Sequence, residues 1–316
     1  MIIPTLRFAI LCISILCWII LLPGRRGVIG TTLTTPLRLL DLGLCCWIFS
    51  LALGVVPRMP PGAIDLCRYL STLLILGAGI SVLGARNPGG QAWTGFVVVP
   101  MFLVLGWPVL LCWGDDWLPD RLELMTPAFL GIVLVIVMAG GNYLTTRWQS
   151  ASLFGAASLS LFSLERTALL PTSGILPTVT LLSSDIAGLA ALFCILVGTK
   201  SGASIHNTGL VRFWGDFRDH FGIVWSYRVM ERLNQEAERL KWPFRFEIDR
   251  IVSAGVPSGE PMLPAQLSPA ELPKKTVDEI RLTLEWLFRR FVSDAWRNSR
   301  LGPEWTTLMD NSTGEG

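Results

Sequence analysis

Ionisable side chains inside apolar runs are where chemistry should be sought first. A charge in hydrocarbon costs about 2.5–3.5 kcal/mol on insertion scales, so each such group needs a reason. Asp185 is the strongest case, following Ser183 and Ser184 inside the apolar run 175–197. Such a carboxylate must be paired, wet or protonated, and it could serve a substrate or proton path. Glu165 and Arg166 interrupt the apolar stretch that begins at Ala151. Adjacent residues on a helix do not face one another, so these two are expected to pair across helices near an interface. Arg166 is the basic residue nearest Asp185 in sequence, and the connection between them is short, so Asp185 is expected to pair with Arg166. Arg38 with Asp41, and Asp65 with Arg68, are three apart, the spacing of a same-face helical ion pair.

Other candidate chemistry is thinner. Asp115, Asp116 and Asp120 lie beside Trp113 and Trp117, and a metal held by three such carboxylates would mark a lipid-modifying enzyme. The seven cysteines (12, 17, 45, 46, 67, 112 and 194) form no CxxC and no Cys/His cluster, so they read as small buried hydrophobes. No Walker A, GxSxG, HExxH or dinucleotide loop occurs, and His220 beside Asp219 has no nucleophile placed with it. No catalytic, cofactor-binding or metal-binding set is therefore expected. The stretch from Trp113 to Asp120, WGDDWLPD, partly resembles the tryptophan-rich WGxxWxWD segment of the membrane proteins that handle haem for cytochrome c. Pro119 stands where that family has Trp, and the only histidines, His206 and His220, follow the last apolar run. No residue roles are carried over from the resemblance.

The elements that must position these residues belong to two regions. Of 316 residues, 51% are hydrophobic and 16% charged, which excludes an ordinary soluble domain, where charge runs near a quarter. Residues 1–200 hold 19 charged side chains and residues 201–316 hold 31, with net charges of +3 and −1. Neither is a polycation, so nucleic acid is not an expected partner.

A membrane helix needs about 20 mostly apolar residues. Seven candidates fit: 2–22, 37–56, 66–85, 92–113 with Pro100 and Pro108 inside it, 127–143, 151–164 and 175–197. The sixth is short, and six spans are the alternative. With seven, the first, third and fifth connections share a side with the tail and carry Arg25, Arg26, Arg38, Arg86 and Arg147, to which the tail adds Lys200 and Arg212. These seven oppose five on the other side (Arg7, Arg58, Arg68, Arg121 and Arg166), a bias that puts the tail in the cytoplasm. With six spans the bias vanishes.

In the tail, 201–208 reads as a linker. Trp214, Phe217, Phe221, Val224, Trp225, Leu233, Ala237 and Leu240 recur at three and four, predicting a helix over 209–241. Alternation over 244–252 predicts a strand or one strand pair. Thr276 and Glu279 form a capping box for a second helix ending near Arg300, with Ile280, Leu284, Leu287, Phe288, Phe291 and Ala295 on its apolar face. Trp214 and Trp225 with Arg212, Arg218 and Arg228 would also suit a helix at lipid headgroup level.

The fold class expected is an all-α polytopic membrane protein of about seven transmembrane helices, residues 1–200, with a small, mainly helical α+β C-terminal domain, 201–316. The function expected is a non-enzymatic scaffold or assembly subunit, with the lipid bilayer and other membrane subunits as partners. The alternative is a small-solute transporter using Asp185.

Overall fold

The structure is a computed structural model that describes residues 2–86, 93–111, 121–171, 174–201, 209–254, 262 and 267–306. It is mostly helical. α1 (Ile2–Leu21) runs into a 3-10 turn (Leu22–Val28) where Pro23, Gly24 and the Arg25–Arg26 pair end the apolar run. α2 (Thr34–Leu53) stops at Gly54, and α3 (Pro61–Leu83) opens on a proline, whose missing N–H costs nothing in the first turn. The expected fourth span is broken. A π-type turn (Thr94–Val98) leads into α4 (Val99–Leu105), and α5 (Trp107–Leu111) follows across Gly106. Pro100 falls in the first turn of α4 and Pro108 in that of α5, where a missing backbone donor is tolerated, so the prolines mark where new helical segments begin. α6 (Thr126–Gly141), α7 (Gln149–Glu165) and α8 (Ile175–Ser201) complete the apolar helices.

Among the described residues, four helices are long and apolar enough to cross a membrane: α1 with its 3-10 extension, α2, α3 and α8. α6 has 16 residues and α7 has 17, which at about 1.5 Å per residue fall short of a hydrocarbon core about 30 Å thick. Their outward faces are apolar, with Phe8, Leu16 and Ile19 on α1, Leu134 on α6 and Phe193 on α8 all exposed. That inside-out distribution suggests membrane association. α2 packs along α3, and α7 along α8. A side chain at Gly43 would stand 2.8 Å from Ile75, so only glycine lets α2 and α3 approach this closely.

After residue 201, α9 (Gly209–Leu240) matches the expected helix but is kinked at Gly222. The alternating stretch forms a strand pair, closed as a hairpin. β1 (Phe244–Phe246) and β2 (Ile251–Ser253) pair antiparallel, with Phe244 opposite Ser253 and Phe246 opposite Ile251. The expected capping box is also not used. α10 (Lys274–Phe288) opens two residues before Thr276, with Pro273 at its N-cap and no side-chain cap. It ends at Phe288, and Ser293 caps a separate helix, α11 (Asp294–Leu301), followed by α12 (Pro303–Thr306). The break turns Ala295 outward and buries Trp296 in its place.

Phe213, Phe217, Phe221, Phe288 and Phe291 form the aromatic centre of this part, with Phe217 and Phe288 ring centroids 4.7 Å apart. Trp214 and Trp225 belong to the same core rather than to a headgroup-level face. Their indole N–H groups donate to the carbonyls of Glu247 (2.8 Å) and Val82 (3.0 Å). Leu33, Val82 and Ala85 join that core, so the expected small core of the tail is completed by connections between the apolar helices. The linker, the acidic stretch with its resemblance, Cys112 and His206 lie outside the described residues.

Candidate functional site

The ionisable residues singled out in the apolar runs come together, with partners other than those expected. Asp65 and Arg68 lie one turn apart near the start of α3. Glu165 is the last residue of α7 and Arg166 its C-cap, where the backbone leaves the helix. Leaving it lets neighbours in sequence face each other, and Arg166 Nε lies 2.8 Å from Glu165 Oε2. A short parallel bridge between Leu124 and Thr167, with the Leu124 N–H donating to the Arg166 carbonyl at 2.7 Å, brings Arg121 to the same place.

Asp185 pairs with Arg68, not with Arg166. Arg166 pairs instead with Asp65 at 2.6 Å, and Arg121 lies 3.3 Å from Glu165. The Leu122 N–H donates to Asp65 at 3.2 Å. Asp65 and Arg68 are thus not partners of each other, and each reaches a different helix. Likewise Asp41 pairs with Arg25 (2.8 Å) rather than with Arg38. Phe162 lies under both Arg68 and Arg166, each guanidinium 5.7 Å from its ring centroid. Asp185 is 1% exposed and Glu165 2%, so the carboxylates are closed off, and only Arg121 at the edge of the network is partly exposed. Three arginines pair with three carboxylates, and such pairing is what makes buried charge tolerable, while Arg7 of α1 stands within electrostatic reach of Arg68 as a fourth positive charge. The arrangement clamps α3, α7, α8 and the 121–124 segment together. Nearby, Ser158 and Ser184 each donate to the other's backbone carbonyl at 2.8 Å, joining α7 to α8.

The sequence reading missed Arg121 as a member and treated Asp65 and Arg68 as a local pair. One signal was available. Charged residues recur at one end of successive apolar runs, and antiparallel helices bring such ends together.

Beside the network lies a cavity of about 610 Å³, lined by α2, α3, α6, α7 and α8. It touches Arg68 and Ser184 at one end. At the other it meets Arg25, Arg147, Arg212, Asp216, His220 and Arg300.

No family model, curated protein or solved structure matches this chain. Among the described residues no three His, Cys, Asp or Glu side chains converge as metal ligands, and Asp115, Asp116 and Asp120 lie outside those residues.

His220 marks the tail end of the cavity. Its Nδ1 lies 2.6 Å from the Asp216 carbonyl. Burial holds its imidazole below the ordinary value near 6.5, and Arg147 and Arg300 push the same way, against the bond to Asp216. In the unfolded chain the ring takes its proton near 6.5, and in the fold only at lower pH. The unfolded state therefore binds more protons across that interval, and stability falls as pH drops below about 6.5. The purified protein should melt lower at about pH 5.5 than at about pH 7.5, and His220→Gln should flatten the difference. An unchanged slope in His220→Gln would assign it to other groups.

Proposed function

We propose that the chain is a multi-pass integral membrane protein crossing the bilayer seven times, and that it works as a non-enzymatic scaffold or assembly subunit. In this reading 1–200 is the membrane region and 201–316 a cytoplasmic interaction domain. One observation carries it. The tail bonds to the C-terminal end of α3 and to the connections after α1 and α6, while the charge network joins the first turns of α3 to the connections after α5 and α7. Phe291 accepts from Thr32 N–H at 2.9 Å, Trp225 donates to Val82, and the Asn142 carbonyl accepts from Ile223 N–H at 2.8 Å. Odd connections on one side and even ones on the other support an odd number of crossings. The broken α4–α5 segment and the short α6 and α7 then cross with local bilayer thinning. Orientation rests on the arginine counts.

The scaffold role is supported by the pairing of Asp185 with Arg68, which commits the carboxylate to structure, and by an apolar pair on the tail. Leu282 and Trp286, four apart on α10, are 59% and 52% exposed, an outward face suited to a membrane-subunit partner. Neither nucleic acid nor a cofactor enters this reading. The alternative, a small-solute transporter using Asp185, draws support from the cavity, which reaches Arg68, the partner of Asp185.

A reporter fused after Gly316 should be active only on the cytoplasmic side, and the opposite result rejects the orientation. A partner that copurifies from native membranes should be lost from the Leu282→Ser/Trp286→Ala variant. Solute uptake by the purified protein in vesicles, abolished by Asp185→Asn at unchanged abundance, would favour transport.

A further inference from the structure

The cavity beside the charge network has ends of different chemistry. Along α3 it runs from Arg68 to Val82, which at a rise of about 1.5 Å per residue is about 21 Å. That exceeds the depth of one leaflet, about half of a 30 Å hydrocarbon core. Its volume of about 610 Å³ suits one small ligand. Leu40, Trp47, Ile75, Leu159 and Leu192 make its length apolar.

At one end Arg68 is held by Asp185, and Arg7 near it is not among the residues that line the cavity. At the tail end Arg25, Arg147, Arg212 and Arg300 meet three carboxylates, all already engaged. Asp41 is taken by Arg25 at 2.8 Å and Asp216 by Arg300 at 3.5 Å. Asp219 lies 2.9 Å from Arg218, which leaves Arg147 only its longer contact of 3.4 Å. Arg212 is exposed and makes no ion pair among the described residues. Arg147 Nε and Arg300 Nε reach only these longer ion-pair contacts, at 3.4 and 3.5 Å. With Arg218 counted, five arginines face three carboxylates, a surplus of two positive charges, and a neutral His220 does not change it.

We propose that this cavity binds an anionic amphiphile, its hydrocarbon chain lying along α3 beside Trp47 and Leu159 and its phosphate or carboxylate head between Arg147, Arg212 and Arg300. A guanidinium presents several N–H donors to such an oxyanion, and the apolar bore excludes water from the chain. A zwitterionic head would bring its own cation against the arginines. The head can come from a bilayer phospholipid or from a free fatty acid, and the two are separable.

The test uses the full chain, purified and stripped of lipid. Native mass spectrometry follows what it retains from an equimolar mixture of phosphatidylglycerol and phosphatidylcholine with the same acyl chains, and separately from oleate. One anionic amphiphile per chain is expected, preferred over phosphatidylcholine by about ten-fold. Retained phosphatidylglycerol assigns the site to bilayer lipid, and retention of oleate alone assigns it to the free acid. Arg212→Gln, at an exposed position where folding is not at stake, should cut the preference several-fold, and Arg212→Lys should restore most of it. Gly155 lines the cavity, and a Cβ there would meet no atom within 4 Å, so Gly155→Leu should occupy the bore and displace the ligand. Equal retention of the two lipid classes with no oleate bound, an unchanged preference in Arg212→Gln, or full retention in Gly155→Leu would each overturn the proposal.

Discussion

Asp185→Asn is expected to lower the stability of the purified protein by about 3–5 kcal/mol, the cost of leaving one member of a buried ion pair uncompensated. The orphan is Arg68, which is 7% exposed and among the described residues touches no other carboxylate at ion-pair distance. Arg68→Gln should cost a similar amount. Because the two changes remove one interaction, the double variant should cost well under the sum. Arg166→Gln should also destabilise, through Asp65 and Glu165, but its effect should add more nearly to that of Asp185→Asn. Unfolding in detergent of the three single and two double variants measures both couplings. A larger coupling of Asp185 with Arg166 than with Arg68 would contradict the geometry described here.

Gly222→Ala should be as damaging, at a site with no charge. Gly222 has φ of 76° and ψ of −176°, a conformation essentially confined to glycine, and a side chain there would collide with Asn142. The break it makes in α9 frees backbone groups that Asn142 then satisfies. The Asn142 side chain accepts from Val224 N–H at 3.0 Å and donates to the Phe221 carbonyl at 3.2 Å, while its backbone carbonyl accepts from Ile223 N–H at 2.8 Å. Asn142 is itself 2% exposed, so losing these bonds strands a buried amide. Strain of about 1–3 kcal/mol and a comparable loss of hydrogen bonding put the total at about 3–5 kcal/mol. Hydrogen exchange should show the Ile223 and Val224 amides losing protection, and Asn142→Leu should do the same. Gly141→Ala, where a Cβ meets nothing within 4 Å, is the control and should change neither measurement. A Gly222→Ala protein with parental stability and protection would mean that the kink does not hold the tail in place.

Much of this molecule was legible in local pattern. Apart from the broken run 92–113, each apolar run became one helix, because apolar composition without interruption leaves a buried or lipid-facing helix as the way to satisfy the backbone. The helix over 209–241 and most of its apolar face were read from spacings of three and four: Trp214, Phe217, Phe221, Trp225, Leu233 and Ala237 are buried, Leu240 is half-buried, and Val224, just past the Gly222 break, is exposed. The need of Asp185, Glu165 and Arg166 for partners followed from the cost of charge in hydrocarbon. The alternation over 244–252 became a strand pair, folded into a hairpin by the turn over 247–250. Local pattern misled where a second segment intervened. The second tail helix breaks after Phe288 because the backbone of Phe291 and Ser293 bonds to Thr32 and Gly30, more than 250 residues earlier.

Which partner each charge takes was decided only by tertiary structure. Nearness in sequence suggested Arg166 for Asp185, Asp65 for Arg68 and Arg38 for Asp41, and all three are paired otherwise. The physical reason is reach. A charged side chain a few ångströms from its own helix meets what the neighbouring helix presents at that depth, which depends on the rotation and offset of packed helices. Those are set by close contacts such as Gly43 on Ile75, whose energies are summed over many atoms and carry no mark in the residues that bear the charge. The cavity and its cationic end arise the same way. Arg25, Arg147, Arg212 and Arg300 come from four separate segments, and only the docking of the tail on the connections after α1 and α6 gathers them.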